Sequence, residues 1–419
     1  MLFIIALIAQ WYKRELVLVG RIYEKNHKNG CLGLKNCAVI EIIINKVKRK
    51  LFFNKKHKIR KQREFTLFGG RIMANLDCAV ILAGGEGKRM KCDKPKVLMQ
   101  VLFEPMLKWV VDTAIDADLG QLCVVCGYMY EQVQGYLNGL KQQHTNYERV
   151  CCAYQSERRG TAHAVMMAED FLKAHSGGNV LILSGDSPLI DRQTIQEAYA
   201  LHKRENNAVT VIAARLQDPA GYGRVVRNEQ TGALAAIVEQ KDADAQTLAI
   251  CEVNSGAYWF CIDDLLSVLY NIDNHNAQGE YYLPDAVSLL LENGKNAGVY
   301  TAVNANAVLG ANDCMQLSQL NTVARKLLLK YHMENGVEIP CTDGVIIGPN
   351  VTFGRGCRIL PCTQITGNTK IGCGCVIGPN TTVHDCQIGD GLTLHSVQCS
   401  DCKLEGESPK PFCSVSGGR

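Results

Sequence analysis

The chain has 419 residues, 20 cysteines and a formal net charge of +4. The length calls for two or three domains with cores of their own, and 20 cysteines spread over such a chain do not suit a small secreted disulfide scaffold. The charge is uneven: 17 of the 45 Lys+Arg but only 4 of the 41 Asp+Glu lie in residues 1–72, which leaves the remainder acidic.

Residues 1–72 read as a basic extension without periodicity, and two readings fit it. It is either an arm for nucleic acid or a membrane surface, or upstream sequence translated before the true start. Gly69-Gly70-Arg71 stands just ahead of Met73 and can be encoded by a purine-rich ribosome-binding stretch, so Met73 is the expected start. Leu2–Ala9 is apolar for only eight residues. It has neither a basic start nor a cleavage site, and it falls far short of the ~20 residues that cross a bilayer. The expected location is the cytoplasm, with neither nucleic acid nor membrane as a partner.

From Cys78 the pattern is that of a folded domain. Ala79–Ala83 reads as a buried strand and breaks at Gly84-Gly85-Glu86-Gly87, with Lys88, Arg89 and Lys96 close behind. A glycine turn after a strand brings backbone N–H groups up to an anion, and the cations complete a cradle for a polyphosphate. The spacing fits neither the ATPase loop nor the dinucleotide fingerprint. Further strands are expected at Leu122–Cys126, Val180–Leu183 and Val209–Ala213, and helices at Met106–Ala117, Thr161–Ala174 and Thr194–Lys203. This alternation predicts a doubly wound parallel sheet with ligands at the strand C-terminal ends.

Three groups of polar residues interrupt that pattern. Gln155 carries an amide suited to a base edge, and Gly160-Thr161 opens a helix with N–H groups and a hydroxyl. Asp186, freed by Gly185 after a strand, is a natural Mg²⁺ ligand beside a phosphate cradle. Gly223, Glu239 and Asn254 stand at strand ends, where they can bond a sugar's hydroxyls and amide. His163 reads as a packing or hydrogen-bonding residue of its helix. Cys123 and Cys126 read as core thiols, and Cys399-Ser-Asp-Cys402 is a weak metal candidate without a second pair at zinc spacing.

Asn312–Glu334 predicts one long helix with Leu317, Leu320, Val323, Ala324, Leu327 and Leu328 along one stripe. Beyond it Ile347, Phe353, Ile359, Ile365, Ile371, Ile377 and Val383 recur at every sixth position, and Ile388 and Leu394 continue the series after a one-residue deletion. A six-residue repeat predicts a parallel β-helix of about four turns.

In order along the chain, Leu82-Ala-Gly-Gly-Glu-Gly-Lys-Arg-Met, Pro95-Lys-Val-Leu, Gly160-Thr-Ala-His-Ala, Gly185-Asp-Ser-Pro-Leu, Gly221-Tyr-Gly-Arg, Asn276-Ala-Gln-Gly-Glu-Tyr-Tyr-Leu and Gly310-Ala-Asn-Asp resemble one family. It is that of the bacterial bifunctional N-acetylglucosamine-1-phosphate uridyltransferase/glucosamine-1-phosphate acetyltransferases, and the resemblance runs from residue 73 to about 400. It implies an α/β fold, a Rossmann-like nucleotidyltransferase domain followed by a short left-handed β-helix. The implied bounds are 1–72 for the extension, 73–303 for the transferase, 304–335 for the linker and 336–419 for the hexapeptide region.

The resemblance also implies roles. Leu82, Ala83, Gly84 and Gly85 would hold the nucleotide, and Arg89 and Lys96 would contact its phosphates as catalytic cations. Gln155, Gly160 and Thr161 would read uracil, and Gly223, Glu239 and Asn254 would bind the sugar. Asp186 and Asn312 would hold Mg²⁺. UTP and N-acetylglucosamine 1-phosphate would be the substrates, and UDP-N-acetylglucosamine for cell-wall precursors the product. Ser184 replaces an aromatic common in the family, with loss of a packing contact only. The chain stops before the family's acetyl-transfer residues, so that second activity is expected to be absent, and the family's trimer is expected to be weakened by the short β-helix. The alternatives are a transferase for another sugar 1-phosphate and a non-catalytic regulatory subunit.

Overall fold

Strand β1 (Cys78–Ala83) is buried along its length and lies between two parallel neighbours, β2 (Gln121–Cys126) and β4 (Asn179–Ser184). Its side chains alternate between two cores. Cys78 and Val80 join one, and Ala79, Ile81 and Ala83 join the other. A strand apolar on both faces needs cover on both, which the helices supply. The computed structural model describes residues 76–417. The basic extension and the expected start at Met73 lie outside the described residues.

The other strands of the sheet are β3 (Val150–Tyr154), β5 (Val209–Arg215), β6 (Arg224–Arg227), β7 (Leu234–Val238), β8 (Glu252–Cys261) and β9 (Ala297–Thr301). The order across the sheet is β9-β5-β8-β4-β1-β2-β3, with β6 and β7 forming an antiparallel hairpin against β8. The helices are α1 (Met106–Asp116), α2 (Tyr130–Gln143), α3 (Thr161–Met166), α4 (Glu169–Ala174), α5 (Arg192–Arg204), α6 (Ala245–Leu248), α7 (Ile262–Val268), α8 (Pro284–Glu292) and α9 (Cys314–Glu334).

Two expectations need correction. The sheet is mixed, because β8 runs antiparallel to both β4 and β5. The chain enters β8 from the β6–β7 hairpin instead of through a crossover helix, and a parallel neighbour would require a crossover. The single helix expected over Thr161–Ala174 is two, since Ala168 leaves helical geometry at φ −98°, ψ 14°.

The expected apolar stripe of α9 is observed. Leu320 and Ala324 are buried, with Leu317, Val323, Leu327 and Leu328 packed beside them against Met90, Val101 and Met106. Its start lies two residues later than the sequence suggested. Asp313 caps it by accepting from the Gln316 N–H at 2.8 Å, so Asn312 stands just outside the helix.

The hexapeptide region stacks short parallel strands on three faces. On one face Ile347, Ile365, Val383, Cys399 and Val415 lie in register. The first two intervals are eighteen residues and the last two sixteen, so the repeat tightens further than the one-residue deletion expected from sequence. Ile359, Ile365 and Ile377 are fully buried in this stack. Cys399 and Cys402 face the same interior, where Cys402 Sγ lies 3.4 Å from Cys386 Sγ. Among the described residues no helix is long and apolar enough to cross a membrane.

Candidate active site

The carboxyl end of β1 opens into the glycine turn, and neighbouring strand ends bring up what surrounds it. Gly185 N–H donates to the Leu82 carbonyl at 2.9 Å, which sets the loop after β4 against the end of β1. Gly84 is enclosed by two other loops. Its carbonyl accepts from Tyr128 N–H at 3.2 Å, and a Cβ at this position would stand 2.3 Å from Gln155 Oε1. Only a residue without a side chain allows that approach.

One cation gathers three parts of the sequence. Lys96 Nζ pairs with Asp186 Oδ2 and donates to Asn312 Oδ1 at 2.7 Å, across 216 residues of chain. The Lys96 and Asp186 side chains are only 12% and 18% exposed. Burial alone would raise the Asp186 carboxyl, but the Lys96 charge and hydrogen bonds from Lys96 and Ser184 outweigh it, and the carboxyl is held below its ordinary range. Ser184 Oγ donates to Asp186 Oδ1 at 2.7 Å. The serine that the sequence marked only as a lost packing contact is a hydrogen-bond donor to the central carboxylate. Asn312 is fixed in turn by its own N–H, which donates to Gln316 Oε1 at 2.7 Å.

A second group lies at the end of β3. Gln155 is 4% exposed, and its Nε2 donates to the Gly160 carbonyl at 3.3 Å and meets His163 Nδ1 at 3.1 Å. Gly160 has φ +113°, and a Cβ there would run into the Tyr281 carbonyl at 2.5 Å. Thr161 Oγ1 accepts from Leu283 N–H at 2.9 Å and Ala162 N–H donates to the Tyr281 carbonyl at 2.9 Å, so this helix start is bound to the end of the Asn276–Tyr282 segment and the residue after it.

The third group lies by the hairpin. Glu239 follows β7, and its carboxylate lies against Gly223, about 3.1 Å from where a Cβ would be. Asn254 on β8 donates its N–H to the Gly223 carbonyl at 2.9 Å, and its side chain bonds Tyr258 Oη at 2.6 Å. Burial, and then the charges of Asp242 and Asp285, raise the Glu239 carboxyl. Asp285 is raised to about 6 by burial and by Asp273 and Asp242. The Asn276–Tyr282 segment joins the second and third groups. Tyr281 N–H donates to the Arg159 carbonyl at 2.8 Å, while Ala277 N–H donates to Asp242 Oδ1 at 2.9 Å and Lys241 Nζ to Gln278 Oε1 at 2.6 Å.

The structure thus groups Leu82, Ala83, Gly84 and Gly85 with Gln155, joins Lys96 to Asp186 and Asn312, and sets Gly223, Glu239 and Asn254 side by side. Arg89 stands apart. It lies exposed on the short turn Lys88–Met90 and, among the described residues, makes no ion pair or hydrogen bond. Sequence reasoning missed Ser184, Gln316 and Tyr222. Tyr222 is half-buried near Asp186. Its phenol is raised by burial and by that charge, with a Gly310 backbone hydrogen bond opposing. Tyr222 sits inside the Gly-Tyr-Gly-Arg segment that the sequence did single out.

The donors around Lys96 are hard oxygens, one carboxylate and one amide, both already directed at a positive charge. Such donors suit a small divalent cation. Among the described residues no group of three or more His, Cys, Asp or Glu could hold a metal by itself. A cation here would be completed by substrate phosphates and water, the arrangement Mg²⁺ favours.

The nucleotidyl transferase family model matches residues 78–306. The bifunctional protein GlmU of Thermoanaerobacter pseudethanolicus is 43% identical over 337 residues, 80% of this chain and 71% of that protein. Its counterpart in Caldanaerobacter subterraneus subsp. tengcongensis is 41% identical over 338 residues, again 80% of this chain and 71% of the other. The GlmU of Clostridium botulinum is 37% identical over 340 residues, 81% and 72% of the two chains. The crystal structure of a UDP-glucose pyrophosphorylase complexed with UDP-glucose superposes with a TM-score of 0.50 over 60% of this chain and 99% of that chain, at 15% identity. That likeness is one of fold.

Proposed function

The chain belongs to the bifunctional GlmU family of nucleotidyl transferases, and we propose from that premise that it transfers the uridylyl group of UTP to N-acetylglucosamine 1-phosphate, releasing pyrophosphate. The observation that carries the reading is the convergence of Lys96, Asp186 and Asn312, from three separate segments, at the mouth of a glycine turn. In this reading residues 73–303 are the transferase domain, 304–335 the linker and 336–419 a short β-helix, and the enzyme works in the cytoplasm.

A phosphate oxygen of the sugar substrate attacks the α-phosphorus of UTP in line. A P–O bond forms there as the bond from that phosphorus to the bridging oxygen of pyrophosphate breaks, with no proton required. The protein has no covalent work to do, so its contribution is positioning and charge. Leu82–Gly85 line the nucleotide with backbone. Lys96 neutralises a phosphate oxygen, and Arg89, free at the surface, swings in to reach the leaving pyrophosphate. Gln155, Gly160 and Thr161 hold the uracil, and Gly223, Glu239 and Asn254 hold the sugar and its acetamido group. Asp186 and Asn312 would hold a bound Mg²⁺, which would supply further charge neutralisation on the triphosphate. Lys96, paired with Asp186, already sets cationic charge at that carboxylate.

The test is a substrate panel with Mg²⁺, pairing UTP, dTTP and ATP with the 1-phosphates of N-acetylglucosamine and glucose. The reading requires UDP-N-acetylglucosamine as the dominant product. Dominant use of glucose 1-phosphate or of another nucleotide would overturn it.

A further inference from the structure

Gln155 is almost wholly buried, yet it uses only one end of its amide. Nε2 meets two partners, the Gly160 carbonyl at 3.3 Å and His163 Nδ1 at 3.1 Å. A carbonyl can only accept, so the end of the amide facing Gly160 is the NH₂. Among the described residues Oε1 accepts no hydrogen bond, and it stands beside Gly84 in the nucleotide turn. An acceptor without a donor, set beside the turn where the nucleotide would lie, is open to an N–H of a ligand.

His163 offers that NH₂ its second and nearer acceptor, beside the Gly160 carbonyl. With Nδ1 unprotonated, the imidazole accepts from the amide NH₂ and leaves Oε1 facing the turn. Burial, and then the Arg159 charge, hold the imidazolium below its ordinary range, against a smaller pull from Glu157 and its carbonyl. The ring is therefore neutral at pH 7 and keeps a lone pair for the amide.

A free carbonyl oxygen selects a base that offers a hydrogen. Uracil carries a hydrogen on ring N3. In cytosine the same nitrogen is an acceptor and would face Oε1 lone pair to lone pair. We propose that His163 is a positioning residue that, together with the Gly160 carbonyl, fixes the rotation of the Gln155 amide, and that this rotation makes the pocket prefer uracil to cytosine. The proposal rests on the reading of the site as a uridylyltransferase.

The experiment compares kcat/KM for UTP and CTP, with N-acetylglucosamine 1-phosphate and Mg²⁺, in the full chain and in two variants. His163→Phe keeps a ring but removes the acceptor, and the UTP-over-CTP ratio is expected to fall about tenfold or more. His163→Asn places an amide oxygen near the position of Nδ1, and the ratio is expected to stay within about threefold of the parent. A purely structural role would lower both nucleotides together, leave the ratio in place and show no rescue by Asn. An unchanged ratio in His163→Phe, or equal loss in both variants, overturns the proposal. If His163→Phe does not fold, His163→Ala removes the acceptor in its place and is read the same way. Failure of the underlying reading is distinct: the parent chain would then turn over neither nucleotide, and the proposal would fall with it.

Discussion

Lys96 and Asp186 hold one another in a pocket that shields both from water, and each has a second neutral partner, Asn312 for the lysine and Ser184 for the aspartate. Removing one member leaves the other charge without its partner at low exposure, a costly arrangement. Lys96→Met is expected to lower kcat/KM for UTP by about 10²–10³, the scale of removing one preorganised charged donor, as measured by pyrophosphate release. Asp285 gives a test by pH. Its carboxyl is raised to about 6, so ionising it costs more in the folded chain than in the unfolded one. That cost is present above pH 6 and vanishes as the pH falls below the ordinary aspartate value. Asp285→Asn is therefore expected to raise the thermal midpoint at pH 8 and to leave it unchanged near pH 4. Lys96 and Asp186 were legible in the sequence, because glycines and charges after apolar runs are local signals, whereas Asn312 came only through the family resemblance. Ser184 was not legible, because a hydroxyl two positions from a carboxylate matters only once the end of a strand turns both into one pocket.

Among the elements, α9 carries a residue of the site at its threshold. Asp313 and Gln316 form a reciprocal cap, the aspartate accepting from the Gln316 N–H and the glutamine side chain accepting from the Asn312 N–H. Asp313→Ala is expected to cost about 0.5–2 kcal/mol of stability and also to raise KM for UTP, since the first turn that carries Gln316, the anchor of Asn312, loosens. Unfolding in denaturant and steady-state kinetics on the same preparation check both. In the β-helix, Ile365→Ala removes a fully buried side chain from the centre of a stack and is expected to cost about 2–5 kcal/mol, read as a lower denaturant midpoint for that region. The six-residue period was legible because each short strand buries one side chain at a fixed phase. The later sixteen-residue turns were not, because their shortening falls in corners whose residues do not repeat. The antiparallel course of β8 was also hidden, since burial on both faces reads the same in either direction.

Across the whole molecule, a glycine turn, an aspartate at the end of a central strand and an asparagine ahead of the linking helix come together only because the sheet order sets β4 beside β1 and α9 returns over the hairpin Gln100–Pro105, where Asn321 Oδ1 accepts from Leu102 N–H at 2.9 Å. The GlmU relatives match about four-fifths of the chain at 37–43% identity. We propose that this meeting point is where the α-phosphorus of the nucleotide reacts. The most direct test is the initial rate of pyrophosphate release from UTP, with N-acetylglucosamine 1-phosphate and Mg²⁺, by the parent chain and by Asp186→Ala side by side. That placement predicts steady release by the parent and a rate lower by about 10³ or more in the variant. A variant that keeps near-parental turnover, or a parent that releases no pyrophosphate, would contradict it.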